Sequence, residues 1–327
     1  MCMKNIFIKS TFIICGIVLF NSCATMYTAP YTPEETGIGI TKITDENISV
    51  VAGLTSYSSD YYYTPSRLRT LSISPKGDGL AFISIINNQQ VACTRDINAV
   101  GNQMTQRTFR PTYSLSWGSD DKIYFGDDSY YNYRPICSVN ARSGSIMKQH
   151  TNNSSDCNPI LSKDGKKLFF QRDSYDGSSS IWCYDLSTSS LLLCCSGTSP
   201  YPIDKNGKKI LCCRKNGSTY GIWIVDYEKG EESILISNET QNYVSPTLSP
   251  DGEWVLFTGN TYSPISKKEQ LDIFCIKMDG SQFTRLTSHP AQDQCPVWSS
   301  DGKYIYFISN RTSERRLNSI WRMNFTL

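Results

Sequence analysis

The sequence predicts an all-β protein: a six-bladed β-propeller with four strands per blade, closed by an N-terminal strand that completes the last blade. Three observations carry that prediction. First, one short turn is written six times, as Ser74-Pro75-Lys76-Gly77, Gly118-Ser119-Asp120-Asp121, Ser162-Lys163-Asp164-Gly165, Asp204-Lys205-Asn206-Gly207, Ser249-Pro250-Asp251-Gly252 and Ser299-Ser300-Asp301-Gly302. Counted on their last residues, the turns stand 44, 44, 42, 45 and 50 residues apart. Second, each turn sits in fixed register between apolar strands. Ile73, Trp117, Leu161, Ile203, Leu248 and Trp298 stand four positions before the anchor; Phe82, Phe170, Cys212, Phe257 and Phe307 stand five after it, and Phe125 four after in a turn one residue shorter. Third, the composition is 39% hydrophobic and only 19% charged, with 12% aromatic residues that include 20 Tyr, which suits strands and a buried core. A sandwich also alternates apolar and polar residues, but one turn at near-constant spacing is the arithmetic of blades that stack around an axis.

Taken in order, residues 1–22 read as a lipoprotein signal peptide: Lys4 and Lys9, an apolar run from Thr11 to Phe20, and the polar end Asn21-Ser22. The run is shorter than the roughly 20 apolar residues that a membrane-spanning helix needs. Leu19 and Ser22-Cys23 resemble a bacterial lipobox, which predicts acylation of Cys23, palmitate included; a plain secretory signal cleaved nearby is the alternative. Ala24, where Asp would retain a lipoprotein, implies onward passage to the outer membrane, facing the periplasm or the cell surface. Residues 23–47 carry Thr, Pro, Gly and acids without sustained periodicity and are expected to form the acylated Cys and a flexible tether.

The propeller is expected over residues 48–327. Its third strands open on Ile181-Trp182, Ile222-Trp223, Ile273-Phe274 and Ile320-Trp321, and fourth strands follow, as in Ser233-Ile234-Leu235-Ile236. The sixth unit ends at Leu327 with three strands. Residues 48–56 end in Gly53-Leu54-Thr55-Ser56, which matches Arg285-Leu286-Thr287-Ser288 of the fifth unit, and are the expected closing strand.

Loss of Lys4 and Lys9 with the leader takes the 32 basic residues to 30, equal to the 30 acidic ones. No net field draws such a chain to nucleic acid or to an anionic membrane, so membrane contact is expected through the lipid anchor only. The turns Pro246-Thr247-Leu248-Ser249-Pro250-Asp251-Gly252 and Asp293-Gln294-Cys295-Pro296-Val297-Trp298-Ser299-Ser300-Asp301-Gly302-Lys303 resemble the WD-like propeller repeat of the TolB family, over residues from about 48 to the end. That resemblance implies a propeller and leaves activity open, because the repeat serves scaffolds, receptors, lyases and peptidase lids. Full TolB proteins carry an α/β domain ahead of the propeller, where this chain has only the tether.

Enzymatic readings find little to rest on. Relatives of prolyl oligopeptidase place catalysis in an α/β-hydrolase domain with a Gly-x-Ser-x-Gly elbow, which this chain lacks. Oligogalacturonate lyases resemble the architecture but hold a metal with several histidines, and here only His150 and His289 occur, both expected in solvated positions. Asp164, Asp251 and Asp301 belong to the repeated turn and are explained by turn chemistry. No catalytic residue, cofactor or metal site is therefore expected.

Ten cysteines lie in the propeller region: Cys93, Cys137, Cys157, Cys183, Cys194, Cys195, Cys212, Cys213, Cys275 and Cys295. Most stand where Val or Ile would otherwise fill a strand, which reads as small buried hydrophobes. A disulfide framework is the alternative, with Cys183 to Cys194 or Cys195 a geometrically feasible bond. Adjacent strand residues alternate faces, so Cys194 and Cys195 are expected to point apart. The tyrosines sort to one end of the propeller. Tyr131, Tyr175, Tyr220, Tyr243 and Tyr262, with Asp156 and Asp293 near the channel mouth, form the expected ligand-binding face. The reading is a monomeric, non-catalytic envelope lipoprotein that binds a protein complex or a glycan through that face. A carbohydrate-active enzyme, a polysaccharide lyase or glycosidase, is the alternative, and a purely structural envelope scaffold a third reading.

Overall fold

The computed structural model describes residues 38–44, 48–52, 68–99, 103–129, 134–144, 147–153, 155–263, 268–311 and 318–327. These form six four-stranded antiparallel sheets and no helix. After β1 (Ile38–Lys42), blade 1 is β2 (Leu71–Ile73), β3 (Gly79–Ile86), β4 (Gln89–Asp96) and β5 (Thr105–Gln106). Blade 2 is β6 (Thr112–Trp117), β7 (Lys122–Asp127), β8 (Ile136–Asn140) and β9 (Lys148–Gln149). Blade 3 is β10 (Asp156–Leu161), β11 (Lys167–Asp173), β12 (Ser179–Asp185) and β13 (Leu191–Ser196). Blade 4 is β14 (Thr198–Pro202), β15 (Lys209–Asn216), β16 (Thr219–Asp226) and β17 (Glu231–Ile236). Blade 5 is β18 (Tyr243–Leu248), β19 (Trp254–Ser263), β20 (Lys268–Lys277) and β21 (Thr284–Arg285); β22 (Gln294–Trp298), β23 (Tyr304–Ser309) and β24 (Ser319–Asn324) join β1 in blade 6.

The repeated turn works through its serine. In blade 6 the Ser299 hydroxyl donates to Asp301 Oδ1 at 2.6 Å and accepts the Tyr304 N–H at 2.9 Å, while Asp301 Oδ1 accepts the Lys303 N–H at 3.1 Å. Gly302 closes the turn in the left-handed region at φ 72°, which costs glycine nothing. Blade 2 has Asp121 there at φ 59°, a conformation that Asp tolerates better than most residues. Beyond each turn the aromatic or cysteine position is driven into the seam between blades: Phe82, Phe125, Phe170, Cys212, Phe257 and Phe307 are all buried. Each seam holds one apolar cluster. Trp254, Leu256 and Ile273 of blade 5 meet Trp298, Phe307 and Met323 of blade 6, for example, and the ring closes where Leu80 and Val91 of blade 1 meet Tyr306 and Ile320 of blade 6.

Closure differs from expectation in one respect. The strand that completes blade 6 is β1, inside the stretch read as tether, and it runs antiparallel to β24 with Ile38 opposite Asn324 and Lys42 opposite Trp321. Gly39 permits this pairing, since a Cβ there would come within 2.8 Å of the Asn324 side chain. Residues 48–52 instead wedge between the last and first blades, where Val50 bridges both Ser84 and Asn318, and Ile48, Val50 and Ala52 join the core. The rest of the expected closing strand, residues 53–56, lies outside the described residues, as does Cys23.

Two ends of the propeller follow from strand direction. At the entry face the inner strands begin and second strands hand over to third; at the turn face lie the Ser/Asp/Gly turns and the third-to-fourth hairpins.

Candidate functional site at the entry face

Four of the six inner strands carry a bulge just before a proline. Asn158, Ser199, Ser245 and Cys295 sit at φ 53–57° ahead of Pro159, Pro200, Pro246 and Pro296, and the register of each strand slips at that point. Left-handed residues other than glycine, repeated around one axis, store strain that their neighbours must hold. Polar contacts across the blades supply the hold. Gln171 Oε1 accepts from Asn158 Nδ2 at 3.0 Å and from the Ser199 N–H at 3.1 Å, and the Cys295 N–H donates to Thr258 Oγ1 at 3.3 Å.

Arg69 crosses this ring. Its backbone N–H donates to Asn158 Oδ1 at 2.7 Å, Nη1 to the Pro159 carbonyl at 3.2 Å and Nη2 to the Pro200 carbonyl at 2.8 Å, which ties blade 1 to blades 3 and 4 across the axis. The guanidinium also lies 5.9 Å from the centre of the Tyr201 ring. Burial lowers its pKa to about 10, and among the described residues no carboxylate pairs with it. Beside it, a cavity of about 20 Å³ lined by Arg69, Ser199, Ser245, Thr247 and Cys295 has room for about one water molecule.

The expected ligand-binding residues divide. Tyr175 stands out from the second-to-third loop of blade 3 and Tyr262 from the far end of β19 in blade 5, 102% and 62% exposed. Tyr220 is half-buried, its N–H held by Asn242 Oδ1 at 3.0 Å and its ring 6.0 Å from Lys215 Nζ. Tyr131 lies outside the described residues, as do Tyr61, Tyr62, Tyr63, Tyr130 and Tyr133. Tyr243 is a correction: it is 1% exposed and packs edge-on against Phe257 and Phe274, with its hydroxyl donating to Gln241 Oε1 at 2.9 Å. As the first residue of β18 it faces the seam with blade 4, so its ring is core.

Asp156 and Asp293 are the second correction. Both lie at the entry end as expected, but both are fully buried and turned onto arginines. Arg172, directly across from Asp156 on β11, grips it with Nε at 2.6 Å and Nη2 at 2.9 Å; Arg311 Nη2 reaches Asp293 Oδ2 at 2.5 Å. Blade 2 makes the same join with the charges exchanged, Arg110 to Asp127 at 2.9 Å, and blade 5 adds Arg285 to Asp272 at 2.8 Å. These carboxylates brace the strands and are shielded from solvent. Burial, with Thr261 and Arg285 offsetting it in part, pushes Asp272 up to about 6.

Both histidines are less exposed than the solvated positions expected of them. His150 is packed between Tyr124 and Tyr184, its Nε2 sharing a 2.8 Å hydrogen bond with Ser138 Oγ, and burial lowers its pKa to about 4. His289 is half-buried in the loop that leads into blade 6. Among the described residues, no group of three His, Cys, Asp or Glu side chains is arranged to hold a metal ion.

Two features were missed in the sequence. Phe109 is 81% exposed in the loop that leads into blade 2, at the same end as Tyr175 and Tyr262. Its signal in the sequence is a large aromatic residue in a loop at the same end as the tyrosines. On the turn face, a cleft of about 420 Å³ opens between blades 1 and 2, lined by Arg95, Arg107, Arg142, Asp78 and Trp117, with Arg142 already paired to Asp78 and Asp121.

No protein-family model matches the chain. A stretch of 104 residues is 30% identical to an uncharacterized protein of Agrobacterium fabrum, spanning 32% of this chain and about a third, 33%, of that one. Among solved structures, the chain is similar to TolB from Acinetobacter baumannii, with a TM-score of 0.55 and 17% identity over 78% of this chain and 63% of that one. It is equally similar to an oligogalacturonate lyase from Vibrio parahaemolyticus, with a TM-score of 0.57 and 9% identity over 88% and 93% of the two chains. Identities this low speak to the fold alone. The chain is a six-bladed propeller, an architecture it shares with TolB and with an enzyme.

Proposed function

We propose that the protein is a non-catalytic binding module of the cell envelope, anchored through Cys23, which captures a partner protein or a glycan at the entry face. The observation that carries this reading is the placement of Phe109, Tyr175 and Tyr262, strongly exposed rings that all stand at that one end. Core packing gives no reason for such rings to project from three separate blades, whereas exposed aromatic side chains supply rigid contact area and stack on sugars and apolar side chains alike. Arg69, among the inner-strand bulges at the same end, adds a cation whose guanidinium, among the described residues, is met by the Pro159 and Pro200 carbonyls and by no carboxylate. A carboxylate or other acid on the ligand would suit it.

The test is a triple replacement, Phe109→Ala, Tyr175→Ala and Tyr262→Ala. None of the three rings is part of the core, so the melting temperature should stay within a few degrees while capture of envelope proteins and binding to glycan arrays are lost. Capture that survives the triple variant but fails when the turn-face hairpins are altered would place binding at the other end. Arg69 also favours the second reading, a lyase or glycosidase acting on an acidic polysaccharide. Shortening of such a polymer by the wild-type protein, abolished in Arg69→Met, would establish it.

A further inference from the structure

Four cysteines meet in two pairs at the seam between blades 3 and 4: Cys183 on β12, Cys194 and Cys195 on β13, and Cys212 on β15. The pairing of β12 with β13 slips by one residue, so that Ile181 faces Cys195 while Trp182 faces Leu193. Cys194 is the extra residue. This bulge overturns the expectation that neighbouring cysteines point apart, because it turns Cys194 and Cys195 together onto the cluster formed by Phe169, Ile181, Ile210 and Val225. There Cys183 and Cys194, and Cys195 and Cys212, lie in one packed cluster, near enough for each thiol to influence the ionisation of its neighbour.

The two pairs differ in reach and charge. Cys183 and Cys212 are buried, whereas Cys194 and Cys195 are half-buried on the outermost strand of their blade, within reach of small solutes. Arg214 borders the second pair, its Nε donating to the Ser196 carbonyl at 2.8 Å and its Nη1 to Glu232 at 2.6 Å. The neighbouring Cys212 thiol, together with the Arg214 guanidinium, holds the Cys195 thiol down to about 7. Its Cys195 neighbour and burial raise Cys212 well above its ordinary value. One thiol of the pair is thus set up to attack and the other to resolve.

We propose that Cys195 and Cys212 form a thiol–disulfide exchange site that staples blade 3 to blade 4, with Cys183 and Cys194 as a second bond within blade 3. The oxidant is a small disulfide. The Cys195 thiolate attacks one sulfur of the donor, its S–S bond breaks, and one donor thiolate leaves a mixed disulfide on Cys195. Cys212 gives its proton to that departing thiolate, attacks the Cys195 sulfur and expels the second donor thiolate. Two protein thiols are oxidised by two electrons and one donor disulfide is reduced to two thiols. Cys194 and Cys183 follow the same course.

The experiment takes the full chain, reduces it, exposes it to oxidised glutathione at neutral pH, and alkylates the remaining thiols before trypsin digestion. Four of the ten propeller cysteines should resist alkylation. The peptide of residues 173–205 should be linked to the peptide of residues 210–214. The link should persist in Cys213→Ser and vanish in Cys212→Ser. Because Cys212 is fully buried, Cys195→Ser at a half-buried site provides a second variant, in which the link must also vanish. Alkylation of all ten thiols after oxidation, or a link that survives either Cys212→Ser or Cys195→Ser, overturns the proposal.

Discussion

Arg172→Met removes the guanidinium that neutralises Asp156 and leaves most of the aliphatic stem in place. The Asp156 side chain has no solvent exposure and receives two bonds from Arg172, whose own side chain is 17% exposed. Taking away one partner strands a buried carboxylate, a loss of about 3–5 kcal/mol. The guanidinium also lies 4.8 Å from the Trp182 ring centre, and this contact adds about 0.5–1 kcal/mol. For a domain of this size the melting temperature should fall by roughly 7–24 °C, at about 2–4 °C per kcal/mol. Urea titration and calorimetry of Arg172→Met, Asp156→Leu and the double variant form a thermodynamic cycle. The double variant has no buried charge left, so it should recover most of the loss suffered by Arg172→Met. Losses that simply add would refute the claim that the stranded carboxylate, and not lost packing, sets the cost.

Three further outcomes are expected. Deleting residues 38–42 exposes the β24 edge and should convert the protein from a monodisperse species to aggregates on size-exclusion chromatography; a soluble, fully stable deletion variant would exclude β1 as the closing element. Burial raises Asp272 from its ordinary 3.8 to about 6, so the folded state binds the extra proton and stability rises as pH falls from 6 to 4, whereas His150, lowered from 6.5 to about 4, makes stability fall over the same window. Acid melts should therefore steepen in Asp272→Asn and flatten in His150→Gln, and unchanged slopes would contradict both burials. Cys23→Ser should release the protein from salt-washed membranes, because acyl chains are the anchor proposed; a variant still sedimenting with membranes removes that anchor.

The repeat made the fold legible because its turn is local chemistry: a serine, an acid and a glycine within four residues fix the hairpin, and the aromatic five positions on must enter a seam. What depends on register between strands was not legible. The bulge at Cys194 arises from how β13 meets β12, which no alternation within β13 records. β1 escaped notice because Ile38-Gly39-Ile40-Thr41-Lys42 is short and carries a glycine, which reads as linker until Asn324 is seen to need the space. The fate of Asp156 and Asp293 had a signal that could have been used. Arg172 and Arg311 follow them at the far end of the next strand, where a hairpin brings the two ends together, and Arg110 and Asp127 repeat the spacing with the signs reversed. Tyr243 reads as an exposed ring from its spacing alone, but it is the first residue of β18 and faces the seam with blade 4.

The direction of β1 bears on how the molecule would carry load. Ile38 lies opposite Asn324 at the turn face, and the strand runs from there toward the entry face. Cys23 precedes Ile38 by fifteen residues, a leash of at most about 50 Å at 3.3–3.6 Å per residue. If Cys23 carries acyl chains, as proposed, the leash leaves the propeller at the turn face, the end opposite Phe109, Tyr175 and Tyr262. A partner that pulls on them draws the leash taut along the axis of β1. The ladder to β24, whose hydrogen bonds lie across that axis, is then loaded in shear, with the strain shared along the strand instead of opening one bond at a time.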